Sequence, residues 1–99
     1  MVTIDHCDEH GWSTPSMVPF ENLSIHPFNS TLHYSFSCFE GLKAYRDKNG
    51  KVRLFRPEMN VKRFLKSCQF LHLPSFCEEE FMSILKTYIL QEKDWIASD

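Results

Sequence analysis

Histidine and cysteine are the residues of this 99-residue chain whose side chains are most typical of a structural zinc site. The candidates are His6, His10, His26, His33, His72, Cys7, Cys38, Cys68 and Cys77. Zinc sites commonly draw their ligands from short motifs such as C-x-x-C, and the sequence contains no such motif. His6 and Cys7 are adjacent, but neighbouring side chains of a strand point to opposite faces and do not easily reach one ion. We therefore predict no metal site.

The four cysteines lie far apart in the sequence, and three of them fall within apolar patterns. An even number of cysteines fits either free, mostly buried thiols or a set of disulfide bonds. The N-terminus shows neither the basic segment nor the apolar segment of a secretory signal, so we predict free thiols in a reducing compartment. We expect a cytoplasmic protein, with a mitochondrial location open if the natural N-terminus is longer.

The composition limits the class of protein. Hydrophobic residues make up 42% of the chain, which includes nine phenylalanines, so it has the apolar material for a core. A chain of this length buries only about 60–65% of the surface that it exposes when unfolded, and we expect marginal stability. The net charge of −2, without a long basic run, argues against nucleic-acid binding. No stretch approaches the ~18 apolar residues of a membrane span, and we predict no membrane partner.

The first half of the chain reads as strands and loops. Alternating branched and polar residues at 2–6 predict an edge strand, and a short strand is predicted at 17–20 between prolines. Residues 28–37 fit either a loop or a single helical turn. Residues 39–45 and 51–55 predict the two strands of a hairpin, because the Asn-Gly pair between them favours a tight turn.

Two helices are predicted in the second half. Pro57 suits a first helical turn, where its missing N–H would have no partner, and apolar residues follow at three- and four-residue spacings. Ser75 and Glu78 form a capping-box pattern for the second helix, which we expect to end near Lys93. Its apolar stripe, expected to face the sheet, consists of Phe81, Ile84, Leu85, Tyr88 and Ile89. We predict an α+β fold in which a small antiparallel sheet with a β-hairpin is covered by two helices.

Three linked segments carry a resemblance to a known family. They are HYSFSCFEGLKAYR at 33–46, RLFRP at 53–57 and NVKRFLKS at 60–67. Together they resemble the N-terminal, small-domain part of the branched-chain amino-acid aminotransferases, which are pyridoxal-phosphate (PLP) enzymes of the class-IV aminotransferase family. The resemblance covers nearly the whole chain and implies an incomplete N-terminal domain of a PLP aminotransferase.

The resemblance implies three site residues. Arg63 takes the place of an arginine that contacts the PLP phosphate, and a guanidinium suits this role because its planar donors bind phosphate oxygens in pairs. Tyr34 takes the place of a tyrosine that reaches the substrate pocket of the neighbouring subunit. Phe39 takes the place of a phenylalanine that lines the pocket of its own subunit. Judged from spacing and composition alone, Arg63 would be a solvated helix residue and both rings would belong to the core.

The same resemblance implies the activity of the complete enzyme. It transfers an amino group from leucine, isoleucine or valine to 2-oxoglutarate through PLP, in the biosynthesis and catabolism of branched-chain amino acids, and we expect it to be a homodimer. This chemistry needs a lysine that bonds covalently to PLP, and none of the seven lysines of this chain lies in a resembling context. We interpret residues 1–99 as a partial small domain without the large domain that carries this lysine. We assign no catalytic residue and expect the isolated chain to be inactive.

Two other functions are compatible with the sequence. The chain could be a non-catalytic dimerisation module that pairs with a full-length subunit. It could also be a fragment of another PLP enzyme of the same fold, such as a D-amino-acid aminotransferase or an aminodeoxychorismate lyase. The LHY segment at 32–34 and the LFRP segment at 54–57 favour the branched-chain branch over this last alternative.

Overall fold

The computed structural model describes residues 1–97 and has the α+β composition that the sequence predicts. Its internal contacts divide the chain into two units, residues 1–37 and the part from residue 38 onward. The first unit holds short strands and one short helix, and the second holds a hairpin and two long helices. Among residues 1–97, none of the helices combines the length and the apolar composition that crossing a bilayer requires.

The first unit contains two short antiparallel ladders. Strand β1 (Val2–Thr3) pairs with β4 (Ser16–Met17), and β2 (His6–Cys7) pairs with β3 (Gly11–Trp12). The single strand predicted at 2–6 is wrong, because this segment is divided between the two ladders. The strand predicted at 17–20 begins one residue earlier and is shorter than expected.

A short helix, α1 (Ser30–Tyr34), occupies the segment that the sequence leaves open between a loop and a helical turn. The Asn29 side chain caps its N-terminus, since its Oδ1 accepts a hydrogen bond from the Thr31 N–H at 2.9 Å. Ser35 follows the helix in the left-handed conformation, with a φ of +53°. None of the residues of α1 is buried.

The predicted hairpin opens the second unit, with shorter strands than expected. Strand β5 (Ala44–Arg46) pairs antiparallel with β6 (Val52–Leu54). The connection is longer than a two-residue turn, because the Asp47 N–H donates to the Lys51 carbonyl at 2.8 Å and the Lys51 N–H donates back to Asp47 Oδ1 at 2.9 Å. Gly50 completes this loop with a φ of +76°, a conformation that glycine adopts without a steric cost.

Two helices of equal length, α2 (Pro57–Phe70) and α3 (Glu78–Gln91), pack against each other. Helix α2 begins at the predicted proline. Helix α3 begins at the glutamate of the capping pattern, but its cap residue is Cys77 instead of Ser75, and the Cys77 side chain makes no capping hydrogen bond. The helix ends slightly before the predicted boundary, and a turn of 3-10 helix follows at Lys93–Trp95.

Three phenylalanine rings join the two helices. The ring centroid of Phe64 in α2 lies 5.5 Å from that of Phe76 and 5.9 Å from that of Phe81 in α3, and the last two are 5.0 Å apart. The apolar stripe of α3 therefore has α2 as its chief partner. Among the described residues, only Val61 and Cys68 are fully buried, with 2% and 6% of their surface exposed. A core this small agrees with the marginal stability expected from length.

The four cysteines are free thiols, as predicted. Cys68 is buried and Cys38 is half-buried, but Cys7 and Cys77 are exposed. The expectation of mostly buried thiols is therefore wrong for these two, since Cys7 lies in a two-stranded ladder and Cys77 precedes α3 on its exposed side.

Helix α2 ends in a hydrogen-bond pattern that favours glycine. The Leu73 N–H donates to the Cys68 carbonyl at 2.9 Å, and the His72 N–H donates to the Gln69 carbonyl at 3.1 Å. These two bonds define a Schellman motif, in which the residue after the cap adopts the left-handed conformation. That residue is His72, which has a φ of +55°.

Replacing His72 by glycine is expected to stabilise the chain by about 0.5–1 kcal/mol. Glycine adopts the left-handed conformation without the steric cost of a Cβ, and this gain exceeds the entropy that glycine adds to the unfolded chain. Thermal unfolding measures the change as a rise of a few degrees in the midpoint. His72→Ala keeps the Cβ and serves as the control that should gain nothing. A glycine variant with a lowered midpoint would contradict this account.

Candidate functional site

Arg63 of α2 forms a two-bond ion pair with Glu40, which lies between Phe39 and Gly41 of the segment before the hairpin. The Nε of Arg63 donates to Glu40 Oε2 at 2.7 Å, and its Nη2 donates to Glu40 Oε1. The Glu40 side chain is only 12% exposed, whereas the Arg63 side chain is 67% exposed. The guanidinium is thus fixed along one edge and open to solvent along the other.

Asn60 holds the same segment from one helical turn earlier. Its Nδ2 donates to Glu40 Oε1 at 3.0 Å and to the Gly41 carbonyl at 2.8 Å. Residues three apart in a helix lie on the same face, so Asn60 and Arg63 approach Glu40 from neighbouring positions of α2. Together they attach residues 40 and 41 to the helix by four hydrogen bonds.

The electrostatics of this cluster favour the charged form of both partners. The hydrogen bond from Arg63 lowers the pKa of Glu40 below its ordinary value, and this outweighs the opposing effect of partial burial. The Asn60 hydrogen bond and the Arg63 charge lower the pKa of Glu40 further. Glu40 in turn raises the pKa of Arg63. The pair is therefore ionised at neutral pH, and its contribution to stability is lost as the pH falls through the lowered pKa of Glu40.

Arg63 also lines a shallow groove along α2, with a volume of about 420 Å³. The other residues of the groove are Cys38, Lys66, Ser67, Phe70 and Leu71. Lys66 and Ser67 lie three and four residues after Arg63 and share its face of the helix. The groove therefore brings two cationic side chains and a hydroxyl together over an apolar floor, a combination that suits an anionic group attached to a ring.

The two aromatic residues that the resemblance singles out are exposed. Phe39 is adjacent to Glu40, and 91% of its surface is exposed. Tyr34 ends α1 in the first unit and is likewise exposed. Composition alone would predict that both rings belong to the core, and the structure places neither of them there.

Sequence reasoning assigns no role to Glu40 or Asn60. Both lie within the segments that carry the resemblance, and the spacing of Asn60 and Arg63 already places them on one face of a helix. Their meeting with Glu40 joins residues 20 and 23 positions apart, so no local pattern indicates it.

Comparison with known proteins finds relatives of this chain by sequence. No protein-family model matches the chain. A branched-chain-amino-acid aminotransferase of Dictyostelium discoideum is 46% identical over 97% of this chain and 25% of its own length. The cytosolic enzyme of Rattus norvegicus is 43% identical over 97% of the chain and 23% of its own length. The cytosolic enzyme of Saccharomyces cerevisiae is 44% identical over 94% of the chain and 25% of its own length.

These similarities make the chain a relative of the branched-chain-amino-acid aminotransferases, and it spans about a quarter of their length. The resemblance drawn from the three segments is thereby confirmed. The relatives include both cytosolic and mitochondrial enzymes.

Proposed function

We propose that the segment from residue 38 onward forms one wall of the PLP-binding site of a branched-chain-amino-acid aminotransferase, with Arg63 as the contact to the cofactor phosphate. The observation that carries the proposal is the bidentate hold of Glu40 on Arg63. It uses the Nε edge of the guanidinium and leaves N–H donors for an oxyanion, and guanidinium donors suit phosphate oxygens in pairs.

The residues around Arg63 fit an anionic group. The negative charge of Glu40 offsets the positive charge of Arg63, but Lys66, which lines the same groove, leaves a net positive charge. Ser67 Oγ donates to the Arg63 carbonyl at 3.1 Å and also lines the groove. When bound, PLP would supply the electron sink for amino-group transfer. The residues of this chain would hold its phosphate: Arg63 binds, Glu40 orients Arg63, and Asn60 holds Glu40.

The substrates proposed for the complete protein are leucine, isoleucine and valine as amino donors and 2-oxoglutarate as acceptor. An exposed ring such as that of Phe39 offers apolar area to an aliphatic side chain, which has no polar group for recognition. We assign Phe39 to the substrate pocket of its own subunit, and Tyr34 to the pocket of the partner subunit in a homodimer. We further propose a cytoplasmic location, which some relatives share.

The 99-residue chain by itself is expected to show no transamination, because none of its lysines lies in a context that resembles the lysine bonded to PLP. A chimera in which this chain replaces the matched quarter of the Dictyostelium discoideum enzyme is expected to be active with leucine. Formation of glutamate from 2-oxoglutarate measures the activity of the 99-residue chain and of the chimera. The unmodified Dictyostelium enzyme is the positive control, and free PLP without protein gives the background.

Two results would overturn the proposal. One is turnover by the 99-residue chain above the free-PLP background that a single lysine substitution abolishes. The other is a chimera that is folded and dimeric but does not bind PLP.

A further inference from the structure

Cys38 and Cys68 place their sulfur atoms side by side in the second unit. The two Sγ atoms are 3.7 Å apart, although the residues are 30 positions apart in the sequence. Cys68 lies on the buried face of α2, and Cys38 precedes Phe39 in the segment that α2 holds. Of the four thiols, these two meet each other, whereas the Cys77 sulfur donates to Glu79 Oε2 at 3.1 Å.

The separation of the two sulfurs is suited to covalent bonding. A disulfide needs an S–S distance of about 2 Å, so the sulfurs must approach by somewhat less than 2 Å. Cys68 is fixed in α2, but Cys38 lies in an irregular segment that precedes the hairpin. Rotation of its side chain and a small shift of this segment bring the atoms into bonding range.

The two thiols differ in burial and in how readily they are reached from solvent. Burial, together with the hydrogen bond to Cys38, raises the pKa of Cys68 to about 11, so Cys68 keeps its proton at neutral pH. Cys38 is the more exposed of the pair and also lines the groove beside Arg63. An oxidant that enters the groove therefore meets Cys38 first, with Cys68 directly behind it.

We propose that Cys38 and Cys68 form an oxidisable pair that a peroxide converts to an intrachain disulfide. The Cys38 thiol releases its proton, its sulfur attacks one peroxide oxygen and the O–O bond breaks. The leaving hydroxide takes up the released proton and departs as water. The resulting Cys38 sulfenic acid is then attacked by the Cys68 sulfur. The S–O bond breaks, and the hydroxyl leaves with the Cys68 proton as a second water. The two thiols lose two electrons in total, and the peroxide gains them.

Closure of this bond would connect α2 covalently to the residue that precedes Phe39 and Glu40. The segment that positions Arg63 would then be held to α2 by a disulfide bond as well as by hydrogen bonds. This site goes beyond the cofactor contact proposed above, and its chemistry does not depend on that contact.

The test treats the reduced 99-residue chain with hydrogen peroxide, blocks the remaining thiols by alkylation and maps the peptides by mass spectrometry. Before alkylation, the expected product is a monomer about 2 Da lighter than the reduced chain. After alkylation, the peptide map should show Cys38 linked to Cys68 and the label on Cys7 and Cys77. A dithiol reductant should restore four alkylatable thiols. The oxidised chain should also unfold at a temperature higher by on the order of 10 °C, because the bond closes a long loop.

The matched control is the Cys7→Ser, Cys77→Ser double variant, which removes the exposed thiols and should form the same bond. Cys68→Ser should instead leave Cys38 as a sulfenic acid that a dimedone probe labels. The proposal is overturned if peroxide leaves both Cys38 and Cys68 alkylatable in the wild-type chain. It is also overturned if the bonds that form are intermolecular or join Cys7 or Cys77.

Discussion

Replacing Arg63 by alanine in the chimera is expected to weaken PLP binding by about tenfold or more. A hydrogen bond to a charged group contributes roughly 1.5–3 kcal/mol, and a factor of ten corresponds to about 1.4 kcal/mol. Equilibrium dialysis of PLP against the chimera measures the change without relying on turnover. The unfolding midpoint without PLP should change little, because the guanidinium is mostly exposed.

Lys62→Ala is the matched control for Arg63→Ala. Lys62 is an exposed cation adjacent to Arg63, and it lies about 100° around the helix, away from Glu40. Its replacement removes the same charge without touching the groove, so PLP affinity should stay near that of the unsubstituted chimera. If both variants bind PLP as the parent does, Arg63 is a surface residue paired with Glu40 and the cofactor contact is wrong.

Replacing Phe64 by alanine is expected to destabilise the chain by about 2–4 kcal/mol. The ring contacts those of Phe76 and Phe81, and its removal opens a cavity between the two long helices. The effect is placed below that of a fully buried phenylalanine because Phe64 is half-buried. Urea unfolding followed by circular dichroism measures it, and a chain of marginal stability should be largely unfolded by the change.

Phe70→Ala provides the control within the same helix. Phe70 is the last residue of α2 and 85% of its surface is exposed, so the same substitution removes little buried area. Its unfolding midpoint should lie close to that of the unsubstituted chain. Equal destabilisation by both substitutions would contradict this account, because it would show that the packing of the three rings is not the source of the loss.

The elements that the sequence predicts correctly are those with a strong local pattern. Helix α2 follows a proline and an apolar stripe of several turns, and the hairpin follows an Asn-Gly signal. The strands of the first unit have only two residues each, which is too short for an alternation to be seen. The division of residues 2–6 between two ladders therefore could not be predicted.

The candidate site was predictable in part. Arg63 follows from resemblance, because its segment matches a family motif. Glu40 and Asn60 do not follow in this way, since their roles arise from contacts between the helix and a distant segment. The pairing of Cys38 with Cys68 has the same origin: it depends on how residue 38 meets α2, which no spacing in the sequence encodes.

The phenylalanines that remain exposed have a consequence for the temperature dependence of stability. Five of them keep at least three quarters of their surface in solvent: Phe20, Phe28, Phe39, Phe55 and Phe70. Unfolding therefore exposes less new apolar surface than is usual, and newly exposed apolar surface is what raises the heat capacity of the unfolded state. The heat-capacity change should fall below the usual value of about 12–15 cal/mol/K per residue. The stability curve of this chain is then flatter than that of a typical domain, so cooling strengthens or weakens the fold only slightly.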